Sequence, residues 1–211
     1  FNIVGLHDEA RAIAAELAAS PDERFQAFSR VAEVFNDAYG SDWVAERGEA
    51  NVAAAQEIFT RLGDELGLAW VGYAEWGVHW IACRTAQAGA AAERAEAHAR
   101  AAGDEPLAEL MRQTAQRMPV SGPIHVDEAL RSVRAMFDEA SGPVGRARAT
   151  WNIGKLLAMR GEIEAAREYH NTANEMTRET GQLVEAAAGA QVAAFVELRA
   201  GAPDVAEARL R

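Results

Sequence analysis

The amino-acid sequence predicts an all-α protein, a solenoid of antiparallel helical hairpins, and three observations carry that expectation. Of the 211 residues, 48 are alanine, the residue with the highest helix propensity. Aromatic residues, which favour strands, make up only 7%. All six prolines (Pro21, Pro106, Pro119, Pro123, Pro143 and Pro203) fall between helical stretches or in their first turns, where the missing N–H has no helical partner to lose.

Glycines mark the same places, as helix C-caps do, and together the two residue types divide the chain into eleven helices. The first, 7–20, runs up to Pro21, and the second, 22–39, stops at Gly40. A third over 42–66 is closed by Gly67, and a fourth over 68–87 carries Trp70, Tyr73, Trp76 and Trp80. The fifth, 90–102, ends at Gly103. The sixth, 105–118, opens with Pro106 and stops before Pro119. Behind Gly122-Pro123 comes 124–140, closed by Gly142, and behind Pro143 comes 144–160, closed by Gly161. The segments 162–180 and 182–200 end at Gly181 and Gly201, and the last helix starts at 204, behind Pro203. Connections this short oblige sequential helices to pack as antiparallel hairpins.

Charge and cysteine content narrow the function. With 21 Lys+Arg against 32 Asp+Glu the net charge is −11, and the pI is about 5.0. Nucleic-acid affinity comes mostly from cations on phosphates, and no basic block offsets the acid. An anionic membrane surface is disfavoured in the same way. Cys83 is the only cysteine, so neither an intrachain disulfide nor a cysteine-cluster zinc site is available. No signal-peptide pattern and no run of 18 apolar residues occurs, so a cytoplasmic location is expected. The chain begins at Phe1 and stops at Arg211 inside an uncapped helical pattern. It is therefore expected to be a piece of a longer protein, and two raw helical ends make a homodimer an expected state.

Rows of small residues recur on one face of alternate helices: Ala55, Phe59 and Leu62; Ala95, Ala99 and Ala102; Ala129, Val133 and Met136; Ala166, His170 and Ala173; Ala206 and Leu210. Spacings of 4 and 7 keep each row on one stripe. The leading alanines are 40, 34, 37 and 40 residues apart, close to the period of helix–turn–helix repeats. With Gly161 as the turn glycine, 147–180 resembles a tetratricopeptide (TPR) unit. Gly154, Ala166 and Ala173 stand at its small positions and Ile163 at its large apolar one, while His170 replaces the aromatic and Arg178 the trailing proline. The first two helices fit this pattern least well. The expected organisation is an N-terminal hairpin over 1–40, continuing an upstream segment, and a repeat array over 41–211.

Longer strings carry a closer resemblance. They are Phe59-Thr-Arg-Leu-Gly-Asp-Glu-Leu-Gly-Leu-Ala-Trp70, Gly77-Val-His-Trp80, Glu93-Arg-Ala-Glu-Ala-His-Ala-Arg-Ala-Ala-Gly103, Gly122-Pro-Ile-His-Val-Asp-Glu-Ala129, Ala158-Met-Arg-Gly-Glu-Ile-Glu-Ala-Ala-Arg167 and Leu198-Arg-Ala-Gly201. In this order they resemble the C-terminal TPR-like region of bacterial adenylate/guanylate cyclase-like signalling ATPases. The resemblance implies a right-handed superhelix that senses or scaffolds for catalytic domains elsewhere in a parent protein. A similar array follows the ATPase domain of related transcription regulators.

The chain itself shows no catalytic set, and no cofactor is expected. Gly154-Lys155 lacks the upstream glycine and the following Ser/Thr of a P-loop. His7, His79, His98, His125 and His170 show no metal-ligand pairing. Cys83 is expected as a small core residue in the helix of Trp80. The scattered Glu162, Glu164, Glu168 and Glu175 suggest a solvated face. Binding is the expected activity. Trp70, Tyr73, Trp76 and Trp80 lie within an arc of about 120°, forming either a packing wall or, at Trp76 and Trp80, an apolar anchor for a peptide or a small ligand. The TPR resemblance implies that Arg148, Trp151 and Lys155 face the concave surface. Two cations around an indole would suit an acidic peptide or a C-terminal carboxylate, and Trp80 and Arg84 form the comparable pair earlier in the chain.

Overall fold

The computed structural model describes residues 7–38, 43–140, 142–180 and 183–211. The protein is all-α: among the described residues there are eleven α-helices and no strand. In order they are α1 (His7–Ala18), α2 (Glu23–Ala38), α3 (Ala45–Leu62), α4 (Glu65–Ile81), α5 (Thr85–Ala101), α6 (Glu105–Arg117), α7 (Val126–Glu139), α8 (Pro143–Arg160), α9 (Ile163–Thr180), α10 (Leu183–Arg199) and α11 (Pro203–Leu210). No helix among the described residues is long and apolar enough to cross a membrane.

Five of the connections share one turn. Gly63, Gly103, Gly161 and Gly201 sit at φ +63, +76, +90 and +75°. In each case the next residue's N–H reaches back five residues, as Asp64 does to the Phe59 carbonyl and Glu162 to that of Leu157. This left-handed stop satisfies helix-end carbonyls that would otherwise be orphaned. Cys83 (φ +58°) makes the fifth such turn, with Arg84 N–H donating to the His79 carbonyl at 2.8 Å. Cys83 is exposed in this turn rather than packed in a helix core, which corrects the expectation from sequence. Asp64 and Asp104 then cap the next helices, accepting from the Gly67 and Leu107 N–H groups at 2.9 and 3.0 Å.

Two helix boundaries differ from the expected ones. The third and fourth helices meet at Gly63-Asp64, not at Gly67. Gly67 lies buried inside α4, where a Cβ would come within 2.1 Å of the Phe59 ring, so glycine is kept there for close helix approach. The fourth and fifth helices break at Ala82–Arg84, where no glycine or proline announces the turn. Gly40 and Gly181 lie outside the described residues.

The chain divides into two compact units, Phe1–Met118 and Pro119–Arg211. In the first, each helix packs on its sequence neighbour and α2 also packs on α4. One core gathers Val34, Ala55, Phe59, Val71 and Val78, and a second gathers Ala69, Ala95, Ala99, Leu107 and Met111. In the second unit, α7 packs on α8, α8 on α9, α9 on α10 and α10 on α11, and α8 also meets α10. Its core is built from Leu130, Val133, Ile153, Leu156, Ala166 and Val196. The leading members of the small-residue rows (Ala55, Ala95, Ala129, Ala166 and Ala206) are all buried. Of the trailing members, Leu62, Ala102 and Leu210 are exposed, since each sits at a helix end.

Candidate functional site

In the first unit the aromatic stripe on α4 forms a continuous ladder. Phe35 of α2 meets Tyr73 at 4.9 Å between ring centroids, Trp70 meets Tyr73 at 5.9 Å, Tyr73 stacks on Trp76 at 5.5 Å, and Trp76 stacks on Trp80 at 6.2 Å. Trp70 and Tyr73 lean on the hydrophobic cores, so this end of the stripe is a packing wall. Trp80, 39% exposed, is its surface end. The Trp76 indole N–H is shut off from solvent without an acceptor. Arg84, expected as the cation beside Trp80, instead pairs with Glu49 of α3 at 2.6 Å.

In the second unit α8 presents Arg148, Trp151 and Lys155. Trp151 is only 4% exposed, which corrects its expected place on an open inner wall. Its ring fills the space a side chain at Gly189 would need, where a Cβ would come within 2.7 Å of Cζ2. Its Nε1–H donates to Asn174 Oδ1 at 3.3 Å. Burying an indole is favourable when its one polar atom is satisfied, and glycine on α10 makes the room. Arg148 is half-buried and already engaged. Lys155 is the only lysine of the chain. It is half-buried, with its ammonium 5.7 Å above the Phe195 ring, and no carboxylate pairs with it among the described residues. Burial pushes its pKa below the ordinary lysine value.

A polar cluster lies between α9, α10 and α11, around a cavity of about 300 Å³. Glu197 on α10 is 3% exposed. Both of its oxygens are taken by Arg167 on α9, by Nε at 3.1 Å and Nη2 at 2.6 Å, and these bonds hold its carboxyl below the usual glutamate range. His170, 4% exposed, contacts Asn174 through Nε2 at 2.8 Å, and its Nδ1 has no partner. Burial, reinforced by the Arg209 cation, lowers the His170 pKa and keeps the ring neutral. Sequence reasoning missed this cluster. Two signals were available: a histidine at the repeat's aromatic position, and Glu197 inside the apolar run 192–198. A second, shallower hollow of about 160 Å³ is lined by Phe137, Thr150, Tyr169, Thr172 and Met176.

Of the other described histidines, His98 and His125 have ordinary structural partners, while the buried His79 Nδ1 has none. His98 Nδ1 meets Glu65 at 2.7 Å, His125 Nδ1 accepts the Asp127 N–H at 3.3 Å, and His79 Nε2 lies 3.6 Å from Glu75. No group of three His, Cys, Asp or Glu side chains that could hold a metal occurs among the described residues. Glu162, Glu164, Glu168 and Glu175 are all exposed. In comparison with known proteins, the chain matches no family model, no curated protein and no solved structure.

Proposed function

We propose that the chain is a TPR-like array of helical hairpins, wound as a right-handed superhelix, and that it serves as a protein-recognition or scaffold module of a larger bacterial signalling protein of the cyclase/ATPase kind. Three features support the repeat reading: the recurrent left-handed turn, the buried leading alanines Ala55, Ala95, Ala129, Ala166 and Ala206, and the packing of α2 on α4 and α8 on α10 beside that of sequence neighbours. Stacked hairpins produce such next-neighbour contacts. In this reading the module binds a protein or peptide and performs no chemistry of its own.

Lys155 carries the binding proposal. In a chain with 32 acidic side chains, its only lysine sits half-buried with no carboxylate paired to it among the described residues. A desolvated ammonium without a counter-ion is costly, and an aspartate, a glutamate or a C-terminal carboxylate from a partner would relieve that cost. Arg148, two turns away on α8, and Phe195 would border the same contact. Trp80, with Trp76 beneath it, is a second, apolar anchor in the first unit. Titration of an acidic C-terminal peptide against the wild type and Lys155→Met tests this. We expect about tenfold weaker binding by the variant, the share of one charge-assisted contact. Equal affinity would remove Lys155 from the site. The alternative, a small-ligand sensor, is favoured by the cavity at Glu197.

A further inference from the structure

We propose that the exposed face shared by α8 and α10 docks an acidic amphipathic helix of a partner protein. Two carboxylates of that helix, one turn apart, pair with Lys155 and Arg199, and its apolar side chains cover Met159, Phe195 and Leu198. This inference rests on the reading of Lys155 as a partner contact and goes beyond it, by fixing the form of the partner and the second cation that meets it.

Two contacts set the register of the two helices. The Trp151 ring lies against Gly189, and the Lys155 ammonium stands 5.7 Å above the Phe195 ring. Both members of these pairs rise together along the chain, so α8 and α10 run parallel, with Lys155 level with Phe195. One turn further on, about 6 Å along the axis, Met159 of α8 comes level with Arg199 of α10. Leu198 follows Phe195 by three residues and shares its side of α10. This end of the pair leaves apolar surface uncovered: Met159 is 45% and Leu198 59% exposed, and Phe195 is half-buried.

Charge selects what covers it. α8 carries Arg146, Arg148, Lys155 and Arg160 and no acidic residue. Arg146 lies over the Phe137 ring, Arg160 pairs with Asp127 and Glu162, and Arg148 is engaged. Lys155 on α8 and the exposed Arg199 on α10 make no hydrogen bond or ion pair among the described residues. The Lys155 ammonium is nevertheless open to solvent, unlike the unpartnered ring nitrogens of Trp76, His79 and His170. Two cations one turn apart along a groove match carboxylates at i and i+4 of an incoming helix, and the apolar side chains beside them match its apolar stripe. A polyanion such as nucleic acid is disfavoured by the net charge of −11, whereas a short acidic helix needs only these two partners.

Fluorescence anisotropy of the whole chain with labelled, end-blocked, alanine-based helical peptides tests the proposal. The first peptide carries two glutamates four residues apart beside a row of leucines. The second has glutamines in place of the glutamates, and the third keeps the glutamates without the leucines. The first is expected to bind at least about tenfold more tightly than either of the others. Arg199→Gln should reduce the preference for glutamate over glutamine about threefold while leaving the thermal melt unchanged. Leu198→Ser should weaken the glutamate and glutamine peptides equally. The proposal is overturned if the glutamine or the leucine-free peptide binds as well as the first, or if Arg199→Gln keeps the full preference. An acidic peptide with a free C-terminus separates the two readings. If it binds through Lys155 while the helical peptide does not bind, the Lys155 contact stands and the helix is overturned. If neither peptide loses affinity in Lys155→Met, both readings fall.

Discussion

The α4–α5 and α8–α9 hairpins are brought together by the same means and differ in what lies along the seam. At α4–α5 a Cβ on Gly72 would come within 2.9 Å of the Ala95 Cβ; at α8–α9 one on Gly154 would lie 3.1 Å from the Ala166 carbonyl oxygen. Both pairs close on glycine facing alanine. The α5 side of the first seam is Ala88, Ala91, Ala92, Ala95 and Ala99, all at 0% exposure, and it adds no polar side-chain atom of its own. The second seam alternates Ala166 and Ala173 with His170, and Asn174 links that imidazole to Trp151. Close approach is therefore a packing device that carries no chemistry by itself. Chemistry arises where one small position is given to a polar side chain whose partners run out.

Three experiments would break or sharpen this contrast. The largest effect is expected at the apolar end. Gly67→Leu must displace the Phe59 ring and should cost about 3 kcal/mol in a urea unfolding series. Gly77→Ala, on the same helix but with nothing within 4 Å of the new Cβ, should gain up to about 1 kcal/mol. Equal effects at both glycines would show that helix propensity, not close approach, governs α4. Next comes the polar end. Asn174→Leu leaves the Trp151 N–H and His170 Nε2 without partners and should cost about 2 kcal/mol; a neutral outcome would mean that the Trp151–Asn174–His170 chain contributes nothing to stability.

The smallest effect is the pH dependence. The folded-state pKa of His170 is lowered from 6.5 by burial, so the folded state resists a proton that the unfolded chain accepts. Its contribution to stability is complete above pH 6.5 and is lost as pH falls through the lowered folded value. Glu197, lowered from 4.5 by Arg167, adds a second loss at more acid pH of the same sign. His170→Gln should flatten the first loss and keep the second. An unchanged slope just below pH 6.5 in that variant would assign the dependence to other groups.

Much of the architecture was legible because helix propensity and periodicity are local properties. Eleven helices, the buried alanine rows and the solvated Glu162, Glu164, Glu168 and Glu175 face all follow from residue type and spacing. The misplaced boundaries have a physical cause. Gly63 and Gly67 look alike in sequence, yet one supplies a positive φ and the other a missing Cβ beneath Phe59. At Cys83 the left-handed turn is held by a residue that rarely adopts it, so no local signal marked the break. Trp151 occupies the expected helix, whereas Arg84, expected inside the fourth helix, lies in the turn before α5; Gly189 and Glu49, each far along the chain, settle their roles.

Sequence alone determined that this chain is helical, where most of its helices begin and end, and which stripe of each is small enough to be crossed. Only the tertiary structure decided that Arg167, His170, Glu197 and Arg209 border one cavity and that the His170 Nδ1 lacks a partner. Helix formation depends on neighbours three and four residues apart. Pairing of buried charges and donors depends on which helices cross and how closely, which is set by packing over the whole unit.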